Sequence, residues 1–178
     1  YGVAHPDDVM GTVHNFGVNT EFMGPVMPSN GRMLVLSRTD PTKKIHRTFS
    51  ICAAAGRPVD LMCVHPRNND EKEYLEKLRA CHTLGELYLG LPRQEVVERL
   101  RYYDYLVIAG YESYSLAAIE ANLCGIPVVL WSSDTKHPVL EACAMGKVIH
   151  CKDVRSKKPM IRLLRGLPKL SVGERSII

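Results

Sequence analysis

Short apolar runs alternate with amphipathic stretches along most of this chain. The runs are four to seven residues long, and several are apolar at nearly every position, as strands buried on both faces of a sheet are. The stretches between them place apolar residues three and four apart, which is the spacing of one helix face. We predict strands at 33–36, 58–64, 86–89, 105–109, 127–131 and 147–151.

The alternation of strands and helices predicts an α/β fold. Because each helix would return the chain to begin a parallel strand, we expect a Rossmann-like open parallel sheet of about six strands, with helices on both faces. The helical segments are predicted, in chain order, at 40–56, 71–81, 94–102, a stretch ending at residue 124, 138–144 and 159–164.

The chain divides by composition into three parts. Residues 1–30 are rich in Gly, Pro and Asn without a sustained period, and we interpret them as an interdomain linker segment. Residues 31–155 carry the alternating pattern, and residues 156–178 form a basic C-terminal helix or tail. The 178 residues suit about one domain, and a first residue of Tyr rather than Met predicts a piece cut from a longer protein.

Cysteines and apolar runs bear on the compartment and on the class of protein. Cys52, Cys63 and Cys124 lie among apolar residues, which is typical of core thiols and predicts a cytoplasmic location. The sequence contains no Cys-x-x-Cys pair typical of zinc sites and no apolar run of the ~20 residues that a membrane span needs. It also lacks a Walker loop, a Gly-x-Gly-x-x-Gly turn and a nucleophile elbow.

The net charge of +4 is concentrated near the C-terminus. Residues 147–178 carry nine Lys/Arg against Asp153 and Glu174. A basic segment on a slightly acidic body favours an anionic partner. Residues 152–178 would then bind an anionic membrane, as in a peripheral protein of its inner face, or another anionic surface. Nucleic acid is a weaker candidate, and a solvated terminal helix is the alternative that needs no partner.

The turn after the predicted strand 105–109 carries the first candidate site. Glu112 falls in this turn, and Glu120 falls on the second turn of the helix that follows. If Ser113 or Ser115 caps that helix, its free amides suit a phosphate, and the side chain of Glu120 leans back toward them. A carboxylate repels a neighbouring phosphate unless it accepts hydrogen bonds from neutral hydroxyls, and the ribose next to the phosphate has two. The spacing therefore suggests a sugar-nucleotide site. The alternative is an exposed loop Glu and a solvated helix Glu.

A second group of charges follows the first predicted strand. Asp40 and Pro41 predict a helix start, which places Lys43 and Lys44 in its first turn, where cations oppose the helix dipole. An anion would offset that cost, with Arg38 holding it through two bonds and Lys43 acting as a point charge. Two solvated lysines balanced by Asp40 are the alternative. The first and fourth strands of a doubly wound sheet can end at one crevice, so the two candidate sites would meet.

Taken in order, these motifs resemble the C-terminal, donor-binding half of a GT-B glycosyltransferase of the retaining group 1 (family 4) type. Residues 15–25 are similar to the family's Asn-Gly-Val-Asp-x-x-x-Phe-x-Pro linker. Arg38 and Lys43 have the spacing of its Gly-Arg-x-x-x-x-Lys-Gly segment. Residues 112–129 contain its Glu-x7-Glu signature and its Gly-x-Pro-Val-Val strand.

The resemblance implies a role for each candidate residue. The catalytic residues would be Arg38 and Lys43, which neutralise the nucleotide diphosphate, and Glu112, which contacts hydroxyls of the donor sugar. Glu120 would hold the ribose. Further donor contacts are implied for the amides of Ser115 and Leu116, for Tyr114 beside them, and for the backbone of Gly90 and Leu91 against the base.

The resemblance also implies a reaction. A sugar would pass from a nucleoside-diphosphate sugar to an acceptor bound by an N-terminal domain that is missing from this chain, with retention and without metal or other cofactor. The family's Glu-Gly-Phe-Gly-Leu is Glu-Ser-Tyr-Ser-Leu here at 112–116, and Lys44 replaces the Gly after Lys43. These departures favour, as alternatives, a non-catalytic nucleotide-sugar binding module or a subunit of a split transferase. Another GT-B enzyme, such as a sugar-nucleotide epimerase, is a further alternative.

Overall fold

The strands predicted from the apolar runs form one parallel sheet. The computed structural model describes residues 27–81, 84–109, 115–137, 139–140, 143 and 146–171. Its strands are β1 Met33–Leu36, β2 Val59–Cys63, β3 Leu84–Leu89, β4 Tyr105–Ile108, β5 Val128–Trp131 and β6 Val148–Cys151. They lie in the order β3-β2-β1-β4-β5-β6, and every neighbouring pair is parallel.

Helices cover both faces of this sheet. Within the described ranges they are α1 Ile45–Ala54, α2 Asn69–Arg79, α3 Arg93–Leu100, α4 Leu116–Leu123 and α5 Lys158–Gly166. Helices α1, α2 and α5 pack on one face, and α3 and α4 pack on the other. The predicted Rossmann-like α/β fold is therefore confirmed. Most of the predicted linker 1–30 and of the predicted helix 138–144 lies outside the described residues.

The two faces of the sheet belong to two separate cores. In β1, Met33 and Val35 face the core under α1, α2 and α5, whereas Leu34 faces the core under α3 and α4. Strands β2, β4 and β5 are buried at every position, as parallel strands covered on both faces should be. The strand order reverses between β1 and β4, so the connections leave these two strands on opposite faces. Such a reversal opens a crevice at the carboxyl ends of the strands.

The buried carboxylate of Asp60 joins the amino ends of the central strands. Arg32, which precedes β1, donates from Nε to Oδ2 of Asp60 at 2.8 Å, and its Nη2 contacts the other oxygen. The hydroxyl of Tyr103, which precedes β4, donates to Oδ2 at 2.9 Å. Burial and the neighbouring Asp60 both raise the pKa of Tyr103, so the phenol stays a donor. The carboxylate is thus satisfied from both sides of its own strand.

Asp60 also sets the pairing between β2 and β3. The register shifts opposite it, so that Gly85 and Glu86 of β3 both face this one residue. The amide of Glu86 donates to Oδ1 of Asp60 at 2.7 Å. A Cβ on Gly85 would overlap the side chains of both Arg32 and Asp60. The ion pair can therefore form only because position 85 carries no side chain.

The basic helix α5 packs against α1. Met160 and Leu164 are buried in the core. Arg165 donates from Nη2 to the carbonyl of Ala54 at 2.6 Å, and Nζ of Lys157 lies 2.8 Å from Oγ of Ser50. Two cations of the basic segment therefore bind the domain itself, and the anionic partner of residues 152–178 stays a prediction. No helix in the described ranges is both long and apolar enough to cross a membrane.

The three thiols predicted for the core are buried, and none of the three is in a disulfide bond. Burial raises the pKa of Cys52 to about 12, and those of Cys63 and Cys124 to about 11. Since the thiolate is the reactive form, these side chains are inert near neutral pH. Their predicted position is confirmed, whereas the cytoplasmic location stays a prediction.

Replacing Gly85 by Ala is expected to destabilise the fold. The new methyl group would force Arg32 and Asp60 apart, and overpacking of this kind costs about 1–3 kcal/mol. Urea titration of the 178-residue chain measures the free energy of unfolding. Gly166→Ala is the matched control, because no heavy atom lies within 4 Å of a Cβ built there, and it should change stability by less than about 0.5 kcal/mol. Equal effects of the two changes would refute the packing constraint at position 85.

Candidate functional site

A cavity of about 600 Å³ opens at the carboxyl edge of the sheet. It lies where β1, β2 and β3 end and where α4 begins, beside the reversal of strand order. Open α/β sheets bind their ligands at this position. Its polar lining comes from Ser37, Arg38, Lys43, Arg93, Ser115 and Glu120. Its apolar lining includes Leu36, Met62, Val64, Tyr88, Leu91 and Val96.

The cavity brings together residues from both candidate sites. Arg38 and Lys43 reach it from the connection after β1, and Ser115, Leu116 and Glu120 reach it from the start of α4. These residues are more than seventy positions apart in the chain, yet their side chains share one cavity because β1 and β4 are neighbours in the sheet. The expected meeting of the two sites is observed, and the binding role of each residue stays a prediction.

The connection after β1 differs from the single helix that was predicted. Asp40 caps a 3-10 turn, Pro41–Lys43, with Pro in the first position as expected. Lys44 then adopts the left-handed conformation, with φ of 52° and ψ of 36°, and α1 starts at the next residue. The placement of Lys43 and Lys44 in the first turn of α1 is therefore wrong. The dipole of α1 therefore gives no reason to expect an anion beside the two lysines. The cavity that Arg38 and Lys43 share still favours one.

Asp40 orients this connection and faces Arg38. The hydroxyl and the amide of Thr42 donate to Oδ1 of Asp40 at 2.7 and 2.8 Å. These bonds lower the pKa of Asp40, and the charges of Arg38 and Lys43 lower it further. Nη2 of Arg38 lies 3.9 Å from Oδ2 of Asp40, and the arginine side chain is 42% exposed. An exposed pair at this distance is weak, so an anion in the cavity could replace Asp40 as the partner of the Arg38 guanidinium.

Helix α4 begins at the cavity with a side-chain cap. Glu112 and Tyr114 lie outside the described residues, so the described part of this turn starts at Ser115. Oγ of Ser115 accepts from the amide of Ala118 at 3.2 Å. Of the two serines that the sequence offered as caps, this one is shown to cap the helix. The amide of Leu116 precedes the first intrahelical bond, at the end of the helix where anions are favoured.

Glu120 is the buried charge of the site. Its side chain is 5% exposed, and its Oε1 contacts Nη2 of Arg93. Arg93 is not among the site residues predicted from the sequence, although a signal for it is present. Arg93 is the first residue of α3, where a cation opposes the helix dipole, and it follows β3 by only a few residues. Its partner could not be named from the sequence, because the pair joins two helices that are distant in the chain.

Gly90 lets two connections meet at the rim of the cavity. It ends β3 with φ of 65°, a left-handed conformation that favours glycine. Its amide donates to the carbonyl of Cys63 at 2.8 Å. A Cβ there would overlap the ring of His65, which follows β2. Leu91, the next residue, lines the cavity, so the predicted base-binding pair lies at the correct edge of the sheet, and its contact with a base stays a prediction.

Helix α3 packs against the apolar part of the cavity lining. The guanidinium of Arg99, on α3, lies 4.6 Å from the centroid of the Tyr88 ring. A cation over an aromatic face stabilises the pair. Met62, Leu91 and Val96 complete this side of the cavity. One side of the cavity thus suits an apolar ring, and the other presents cations and a helix end to an anion.

Replacing Lys44 by Gly is expected to stabilise the chain. The left-handed conformation costs a residue with a Cβ about 1 kcal/mol or more, and the greater freedom of glycine in the unfolded chain cancels part of the gain. We expect the free energy of unfolding in urea to rise by up to about 1 kcal/mol. Lys44→Ala is the matched control, because it removes the charge and keeps the Cβ. A rise of the same size in both variants would assign the cost to charge instead of backbone conformation.

Solved structures of glycosyltransferases have a fold similar to that of this chain. No protein-family model and no curated protein matches the sequence. AviGT4, a glycosyltransferase involved in avilamycin A biosynthesis, superposes with a TM-score of 0.62 at 19% identity, over 89% of this chain and 48% of its own. Sucrose-phosphate synthase from Thermosynechococcus elongatus gives 0.57 at 21% identity, over 89% and 45%. The C-terminal domain of LpcC, a group 1 family glycosyl transferase from Francisella tularensis, gives 0.55 at 17% identity, over 83% and 86%.

Identities this low establish the fold alone. The chain has the Rossmann-like fold of the C-terminal half of a GT-B glycosyltransferase, which confirms in fold the resemblance drawn from its motifs. The chain spans about half the length of AviGT4 and of the synthase, and most of the LpcC domain.

Proposed function

We propose that this chain is the donor-binding half of a glycosyltransferase that uses a nucleoside-diphosphate sugar. One observation carries the proposal. A single cavity, at the reversal of strand order, is lined by Arg38, Lys43, the buried Glu120 and the amino end of α4. Two cations and a helix end suit a diphosphate, and a buried carboxylate suits the neutral hydroxyls of a ribose. The apolar side of the cavity would receive the base.

The same groups would assist the transfer. Negative charge grows on the departing diphosphate as its bond to the sugar breaks, and Arg38 and Lys43 would stabilise that charge. Glu112, which precedes α4 in the sequence, would accept from hydroxyls of the donor sugar. We propose a reaction that retains the configuration of the sugar and needs no metal ion. These two features are supported by the motif resemblance.

A second domain would complete the site. AviGT4 is about twice as long as the part of it that this chain matches. In a GT-B enzyme the reaction takes place in the cleft between two halves, so we propose that an N-terminal domain holds the acceptor. The isolated chain would then bind a donor and transfer its sugar poorly.

Calorimetric titration with UDP, GDP and ADP, in the presence of EDTA, tests the proposal directly. We expect at least one of these nucleotides to bind the 178-residue chain. Lys43→Ala and Glu120→Ala should each weaken that binding by about 1–3 kcal/mol, because each removes a charged group that bonds to the ligand. Urea titration of each variant checks that the loss does not come from unfolding.

Arg162→Ala is the matched control for charge. Arg162 is exposed on α5, which packs on the face of the sheet opposite α4, and its loss should leave nucleotide affinity unchanged. A folded chain that binds none of the three nucleotides would refute the donor-site proposal. Nucleotide binding without donor hydrolysis or transfer, after an N-terminal domain is added, would favour the non-catalytic binding module.

A further inference from the structure

An ion pair with one buried member, Glu120, lies at the edge of the cavity between α3 and α4. Glu120 is 4% exposed, and its Oε1 contacts Nη2 of Arg93. A carboxylate buried to this degree without a partner is strongly unfavourable, and the loss of one partner from a buried pair is costly. Arg93 therefore stabilises Glu120 in its ionised form.

The pair also fixes the direction of the carboxylate. Arg93 is the first residue of α3, and Glu120 lies in the second turn of α4. A bond between side chains of two helices restricts the rotation of both. The contact is made through Oε1, so Oε2 remains to accept from a ligand, and both side chains line the cavity.

The exposure of the two partners argues against a clamp that only joins helices. The side chain of Arg93 is 57% exposed, whereas that of Glu120 is 5% exposed. A core clamp would bury both partners, but here the arginine reaches in from the solvent side and the carboxylate sits at the wall. The buried member of the pair therefore lies at the wall of the cavity.

We propose that Arg93 is a positioning residue, which holds Oε1 of Glu120 so that Oε2 accepts from the ribose hydroxyls of a bound nucleotide. The inference rests on the proposed function, since it assigns Arg93 to the same site. Arg93 acts on the ribose through Glu120. It also adds a positive charge near the diphosphate, and this second effect does not depend on the ribose.

Two ligands that differ only in the ribose separate these effects. Each nucleotide that binds is compared with its 2′,3′-dideoxy counterpart, using the unmodified chain and Arg93→Ala. In the unmodified chain we expect the ribonucleotide to bind about tenfold more tightly, the size of one hydrogen bond to a charged group. In Arg93→Ala we expect that ratio to fall below about twofold, while both ligands lose affinity to a similar extent from the lost charge.

Three further variants, with Arg162→Ala as the control, connect the effect to Glu120. Arg93→Lys keeps the charge and one donor, so it should restore most of the affinity for both ligands and part of the ratio. Glu120→Ala should abolish the ratio by itself, and the double variant Arg93→Ala/Glu120→Ala should lower it no further. Arg162→Ala should leave the ratio and both affinities unchanged.

The outcomes that count against the inference differ from those that count against the function. If the unmodified chain binds no nucleotide, the proposed function and the inference both fail. If nucleotides bind and Arg93→Ala keeps the tenfold ratio, Arg93 has only a structural or electrostatic role and the inference alone is overturned. Tighter ribonucleotide binding by Arg93→Ala would instead mean that Arg93 competes with the ribose for Glu120, which also overturns it.

Discussion

The bonds to Asp60 hold together the part of the sheet on which the candidate site depends. This single carboxylate accepts from Arg32 before β1, from Glu86 in β3 and from Tyr103 before β4, while it belongs to β2 itself. All four strands are thereby joined at their amino ends. The carboxyl ends of β1, β2 and β3 lie at the opposite edge of the sheet. Residues at these ends and in the loops that follow them line the cavity. The amino edge of the sheet is thus fixed by the bonds to Asp60, and the carboxyl edge carries the candidate site.

The strand order explains why the site has two chemically different sides. Strands β2 and β3 lie to one side of β1, and β4 lies to the other. The carboxyl ends of β2 and β3 and the residues that follow them bring mainly apolar side chains, including Met62, Tyr88 and Leu91. The connections after β1 and β4 instead bring cations and a helix end. A ligand that spans the crevice would therefore meet an apolar wall at one end and charge at the other. A nucleoside diphosphate has this division of polarity.

The strands could be predicted from the sequence because burial on both faces of a sheet requires nearly continuous apolar runs. Every strand of the sheet falls within two residues of the apolar run that predicted it. The break at Lys44 was not readable, because a lysine in the left-handed conformation contradicts the local rule that glycine occupies such positions. The pair between Arg93 and Glu120 was hidden for a different reason. It joins residues 27 positions apart on separate helices, and only the sheet topology brings those helices together.

The pair between Arg93 and Glu120 also resolves an electrostatic conflict within the proposed site. A carboxylate next to a bound diphosphate would repel it. Two like charges about 6 Å apart repel by roughly 3 kcal/mol at an effective dielectric constant of about 20. That repulsion would cancel the roughly 1.5–3 kcal/mol expected from a hydrogen bond between the carboxylate and a ribose hydroxyl. If Arg93 neutralises Glu120 as proposed, the carboxylate would bind the sugar without this repulsion, and Arg38 and Lys43 would bind the phosphates.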